Sequence, residues 1–241
     1  MAERYSLLDG EVDYKELIER AVAALRDGKL IIAPLEHAYV FVADAFNHAA
    51  VKKLHLLRQD ARGVAAQVIV GDIKTVKGIT REFGETVNAV CEKFWPGLLT
   101  VNLPPAQGLV WNLGDERTLD EIAIRVPAAD FLREVALASG PLAIGAAALS
   151  GRPAPRKSTF FPALDGDYAA LFDAGELPEG ATSTVLSAKD DGLGVEGARA
   201  QAHQYRLAVT LMVLPNADEF LVERLWHCDL VERAFLFRPA R

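Results

Sequence analysis

The chain has 241 residues, enough for one good-sized domain and a small appendage. Hydrophobic residues make up 51% and charged residues 24%, so a packed core is expected, while a net charge of −7 argues against a dedicated nucleic-acid binder, whose phosphate contacts need a basic face. Cys91 and Cys228 have no paired-ligand spacing, which excludes a disulfide framework or a paired zinc site, and no run resembles a secretion signal or a membrane span; a cytoplasmic protein without membrane association is expected.

Asp13 and Glu16 form a D-x-x-E capping pattern, and Leu17, Ala21 and Leu25 follow on one helical face up to Gly28. Residues 30–34 are an unbroken apolar run ended by Pro34, suited to the middle of a sheet. Residues 34–41 read as a loop. Asn47 caps the next helix, whose Ala50, Val51, Leu54 and Leu57 face inward. His48 and His55 are expected on its surface, too far apart to share a metal without other ligands. Arg58, Asp60 and Arg62 follow in a polar loop, and residues 66–70 read as a strand.

A helix starting at Thr80 or Glu85 places Val87, Val90, Cys91 and Phe94 along one side and must stop at Trp95. Pro96 lacks a backbone donor and biases its predecessor away from the helix, and Gly97 supplies a turn. Trp95 is expected to anchor this corner by packing. Residues 98–103 read as a strand, 104–121 as an irregular stretch, and 122–126 as a strand ending at Pro127. Arg125 sits in that strand between apolar neighbours. It needs an anionic partner or a wet cleft, so a ligand contact and a structural ion pair stand as equal readings. Asp130 opens a helix broken at Gly140-Pro141, and 142–144 is the next strand. Arg152, Arg156 and Lys157 form a small basic cluster. Residues 170–173 and 183–186 read as strands. The tail from 201 onward reads as strand, helix and strand. Its Trp226-His227-Cys228-Asp229 run is structural, because adjacent residues seldom face one another. Alternating helices and short apolar strands give an α/β fold with one main sheet.

Five pieces in order carry a resemblance: Trp95-Pro96-Gly97-Leu98-Leu99-Thr100, Arg125-Val126-Pro127, Leu149-Ser150-Gly151-Arg152-Pro153, Asp173-Ala174-Gly175 and Ser183-Thr184-Val185. Together they resemble the YrdC/Sua5 family from about Leu17 to Ala198. The resemblance implies a YrdC-like twisted mixed sheet with flanking helices and an open cleft, in a domain over 1–200 with a C-terminal extension over 201–241. It also implies threonylcarbamoyl-adenylate synthesis from threonine, bicarbonate and ATP with Mg2+, a step of tRNA modification. The ligand-binding residues it implies are Glu36, His37, Tyr39, Arg58, Arg125, Ser150, Ser183 and Thr184. Arg58 and Arg125 are expected to face a common cleft as its main anion site.

The chain also departs from the family pattern. Leu35 and His37 stand for threonines and Val40 for a glycine, whose backbone a β-branched residue resists. Asp60 replaces a cation, Ala146 and Ala148 remove a hydroxyl and an amide, and Val195 removes an arginine. The main expectation is therefore a divergent protein that binds a nucleotide or RNA-related ligand with weak or no synthase activity, its protein partner undefined. The alternative is an active synthase with a rebuilt site.

Overall fold

The computed structural model describes residues 2–8, 10, 12–116, 120–158, 166–189 and 192–196. The expected tail elements and the Trp226–Asp229 run lie outside the described residues. The order is β1 (Glu3–Ser6), α1 (Tyr14–Arg26), β2 (Ile31–Pro34), β3 (Tyr39–Asp44), α2 (His48–Arg58), β4 (Gln67–Ile69), α3 (Ile73–Ile79), α4 (Glu85–Phe94), β5 (Leu99–Leu103), β6 (Ile122–Arg125), α5 (Asp130–Ser139), β7 (Leu142–Ala146), β8 (Ala170–Asp173), β9 (Thr184–Lys189) and β10 (Gly192–Glu196). The caps read from sequence form: the Asp13 side chain accepts from the Lys15 amide and the Asn47 side chain from the Ala50 amide.

Among the described residues, the strands form one mixed sheet in the order β1-β8-β2-β3-β7-β4-β6-β5-β9-β10. The pairs β1/β8, β2/β8, β4/β6 and β5/β9 are parallel. This is the expected α/β mixed sheet with flanking helices. β3 is an addition to the sequence reading, because its apolar run Tyr39-Val40-Phe41-Val42 continues from the 34–41 loop. Val40 lies inside β3, so the backbone cost expected of its branched side chain does not arise.

Strand side chains alternate between faces, and the two faces bury different sets. The first carries Phe41, Val68, Val101 and Ile124 against Leu54 of α2, Val76 of α3 and Val87 of α4. The second carries Ile31, Val42, Ile69, Ile144 and Phe172 against Leu17 and Leu25 of α1 and Phe131 of α5. Trp95 is buried in the first-face core as expected, and its Nε1 donates to the Leu99 carbonyl (2.7 Å). The Gly97 amide donates to the Val126 carbonyl (2.9 Å), which ties the Trp-Pro-Gly turn to the end of β6.

Candidate functional site

The alternation that builds the core also builds a polar strip. On β6, Ile122 and Ile124 enter the first-face core, so Ala123 and Arg125 point to the second face. On β5, Leu99, Val101 and Leu103 point into the first-face core, which turns Thr100 and Asn102 to the second. Thr100 pairs in register with Val185 of β9, and Asn102 with Ser187. Extending the β5/β6 register by one step places Thr100 across from Arg125. The second face thus changes from apolar residues under α1 and α5 to hydroxyls, amides and one guanidinium.

These groups bond to one another. Gln67 Nε2 donates to Thr100 Oγ1 (2.6 Å), and Thr100 Oγ1 donates to Ser183 Oγ (2.9 Å). Asn102 Nδ2 donates to Ser187 Oγ (3.1 Å). Thr100 is only 1% exposed, so its hydroxyl depends on these partners. Gln67 reaches Thr100 across β6, where small Ala123 leaves room.

Arg125 is 4% exposed and donates from Nη2 to Glu36 Oε2 (2.9 Å). Glu36 sits in the turn between β2 and β3, and its Oε1 accepts from the Ala128 amide just before α5 (2.8 Å). In the sheet β3, β7 and β4 separate β2 from β6, so this pair closes over the face rather than along a ladder. Burial pulls the Arg125 pKa below its ordinary value and Glu36 opposes that pull. Arg125 Nε has no hydrogen-bond partner among the described residues. The two readings of Arg125 therefore meet: it is half of a buried ion pair, and its buried Nε–H is unspent.

Arg58 does not join it. The α2 side chains Ala50, Val51 and Leu54 lie in the first-face core, and Arg58 ends that helix. A Cβ on Gly145 would lie 2.7 Å from Arg58 Cδ, so this glycine lets the arginine stem lie on the first face of β7. Arg58 and Arg125 thus stand on opposite faces of the sheet. The expected common anion site is corrected on that ground. Arg58 Nε donates to Asp60 Oδ2 (2.9 Å), and Nη1 donates to the Ala146 carbonyl.

The Asp60 side chain is 2% exposed and is also held by His55, whose Nδ1 lies 2.9 Å from Oδ2. The other His55 nitrogen bonds the Leu113 carbonyl (2.7 Å). Burial opposes ionisation of Asp60, but the bonds from Arg58 and His55 outweigh it and leave its pKa below the ordinary carboxylate value. Asp60 is therefore a matched charge inside the protein, and His55, expected on the surface, is one of its partners. Gln59 in the left-handed region (φ 54) makes the turn that brings Asp60 back under its own helix.

The remaining predicted positions scatter. Tyr39 is fully buried. Its single hydroxyl proton is shared between Asp173 Oδ1 (3.0 Å) and Gly175 O (2.8 Å), and its oxygen accepts from the Ala174 amide (2.9 Å). Burial and Asp173 push its pKa up to about 12, and its bonds tie it to the turn after β8. His37 Nδ1 lies 3.2 Å from the Pro178 carbonyl, and its ring covers Gly180, where any Cβ would collide with it. The Ser150 amide donates to the Arg58 carbonyl (2.7 Å), and its hydroxyl favours ionised Asp60. Ser183 joins the strip. Thr184 is paired with Leu99 in register and so faces the first side. Arg156 and Lys157 are spent on Glu179 (2.7 Å) and Glu176 (3.0 Å), which removes two members of the basic cluster. Sequence reasoning carried Thr100 only as part of its motif and passed over Gln67, Asn102 and Ser187. Only Asn102 carries a local signal, two positions after Thr100 on β5; Gln67 and Ser187 alternate with the apolar Ile69 and Val185.

The sequence matches, over residues 23–195, the Sua5/YciO/YrdC family model described as "Telomere recombination". The chain belongs to the YrdC/Sua5 family. A Mycobacterium tuberculosis protein provisionally named threonylcarbamoyl-AMP synthase is 31% identical over 191 residues, 77% of this chain and 85% of that protein. The Bacillus subtilis threonylcarbamoyl-AMP synthase is 34% identical over 179 residues, 72% of this chain and 51% of that one. The fold is that of Pyrococcus abyssi Sua5 complexed with L-threonine, with a TM-score of 0.70 at 24% identity, covering 80% of this chain and 56% of that one. The YrdC-like fold expected from the motifs is confirmed. Among the described residues no helix is long and apolar enough to cross a membrane.

Proposed function

We propose that this protein is a threonylcarbamoyl-AMP synthase with a rebuilt site, using L-threonine, bicarbonate and ATP as substrates in the first step of a tRNA modification. The names of its relatives favour this alternative over the expectation of weak or absent activity. The observation that carries it is the polar strip of Arg125, Thr100, Ser183 and Gln67 on one face of the sheet. The position of Asp60 removes one argument for inactivity, because its charge is spent on Arg58 and His55 rather than set against a triphosphate. Mg2+ would arrive with the nucleotide as part of the substrate.

Chemistry at such a site rests on holding the reactants in line and on placing donors where phosphate charge develops. The strip suits that task. Its hydroxyls are buried or half-buried and fixed by hydrogen bonds before any ligand arrives. A second reading, binding without turnover, draws on Ala146 and Ala148, which offer no side-chain handles at the end of β7 and just beyond it. One assay separates the two: pyrophosphate release by the purified protein with ATP, magnesium, threonine and bicarbonate. Turnover on the order of 1 per second supports the synthase. ATP binding without threonine-dependent pyrophosphate release overturns it.

A further inference from the structure

We propose that Gln67 is a positioning residue that, through Thr100, fixes the Ser183 hydroxyl as a donor to an oxyanion of the bound substrate. The inference rests on the synthase reading and deepens it. A hydroxyl has one proton. Thr100 receives a hydrogen bond from Gln67 Nε2 and spends its own proton on Ser183 Oγ. The Ser183 proton is then left over, with no acceptor among the described residues. Arg125 Nε–H is unspent on the same face, on a side chain only 4% exposed.

The β5/β6 register places Arg125 across from Thr100 on one side, and the 2.9 Å bond places the Ser183 hydroxyl against Thr100 on the β9 side. Unspent donors on one face call for an oxygen that carries negative charge, a carboxylate or a phosphoryl group. Gln67 sets the direction of the chain. Without its amide donor, Thr100 and Ser183 can exchange roles, and Ser183 can turn its proton inward.

The test is a double-mutant cycle of Gln67→Met and Ser183→Ala, read by calorimetry with ATP plus magnesium and separately with L-threonine. Ser183→Ala is expected to weaken one of the two ligands about tenfold, as loss of a bond to a charged group does. The affected ligand tells phosphoryl from carboxylate. Gln67→Met is expected to weaken the same ligand at least about threefold in the wild-type background and to be almost silent when Ser183 is already alanine. Equal losses in both backgrounds would mean that Gln67 serves packing only, and would overturn the inference while leaving the synthase reading intact. Wild-type protein that binds neither ligand would end both. Gln67→Ser, too short to reach Thr100, replaces the methionine variant in the cycle if that variant does not fold.

Discussion

The second face of the sheet has two halves built by the same backbone rule. Across β8, β2, β3 and β7 its residues are Phe172, Ile31, Ala33, Val40, Val42, Leu142 and Ile144, and α1 and α5 pack on them. Across β6, β5 and β9 the matching positions hold Arg125, Thr100, Asn102 and Ser187 beside the small or apolar Ala123 and Val185, with Ser183 just before β9, and the polar groups are linked by side-chain hydrogen bonds or closed by Glu36. α5 begins close to the border, just beyond Ala128, whose amide holds Glu36. One half is closed by apolar burial, which is strong and undirected. The other spends its positions on directed groups, which contribute little net stability but fix geometry. The comparison teaches that the strip trades stability for placed donors, and it can be broken from either side.

The largest effect belongs to the apolar half. Phe172 is fully buried, with its ring 4.7 Å from Phe131 and 5.5 Å from Tyr5. Phe172→Ala should cost about 3–5 kcal/mol in urea unfolding. A loss below about 1 kcal/mol would mean that this half is not the stabilising one. Arg125→Met comes next. It leaves the Glu36 carboxylate, 12% exposed, with only the Ala128 amide, and breaking such a pair costs about 3 kcal/mol. Adding Glu36→Gln should recover much of that loss, because no buried charge then lacks a partner. A double variant as unstable as Arg125→Met would show that the arginine acts by packing.

The polar half should give a smaller response in stability. Thr100→Val keeps the shape and removes a hydroxyl whose two partners are half-buried and can reach water. The expected cost is about 1 kcal/mol. The same variant should weaken ATP or threonine binding, since Ser183 loses the partner that orients it. A loss near that of Phe172→Ala, with ligand affinity unchanged, would place Thr100 among the core residues instead.

Much of the fold was legible because its signals are local. Asp13, Asn47 and the Trp-Pro-Gly turn act within a few residues of themselves, and the longer helices and the central strands other than β3 followed from periodicity. β1 and β10 were not legible. The run Glu3-Arg4-Tyr5-Ser6 is a short polar edge strand, and β10 holds two glycines, so neither shows an apolar pattern. α3 has only seven residues, one of them Gly78, too few to display a helical face. Arg125 and Ser183 could be marked from motifs. Their connection could not, because strand order decides which side chains meet and periodicity does not give it. Glu36 and Arg125 lie 89 positions apart in the chain. That Asp60, which replaces a cation of the family pattern, pairs with Arg58 and His55 was hidden for a related reason. The left-handed turn at Gln59 that folds it between Arg58 and His55 shows only in three dimensions.

The smallest expected effect is a difference in pH slope, and it tests whether Asp60 stands apart from the strip as a matched charge. Its pKa in the folded protein lies below the ordinary value of about 3.9. A depressed carboxylate contributes stability that is fully present above the unfolded-state pKa and is lost as pH falls through the folded-state pKa. In that acid window the unfolded chain binds the proton first, so stability must rise with pH. Asp60→Asn keeps the shape but has no such proton to bind. The stability gap between wild type and Asp60→Asn should therefore shrink as pH falls below about pH 4. Asp173, also depressed because bonds from Ser158, Gly175 and Tyr39 outweigh its burial, remains in both proteins and cancels in the difference. Urea midpoints measured from pH 7 to pH 3 provide the curve. A gap that stays constant to the lowest pH would mean that Arg58 and His55 do not hold the ionised form, and the negative charge of Asp60 would again stand against a nucleotide.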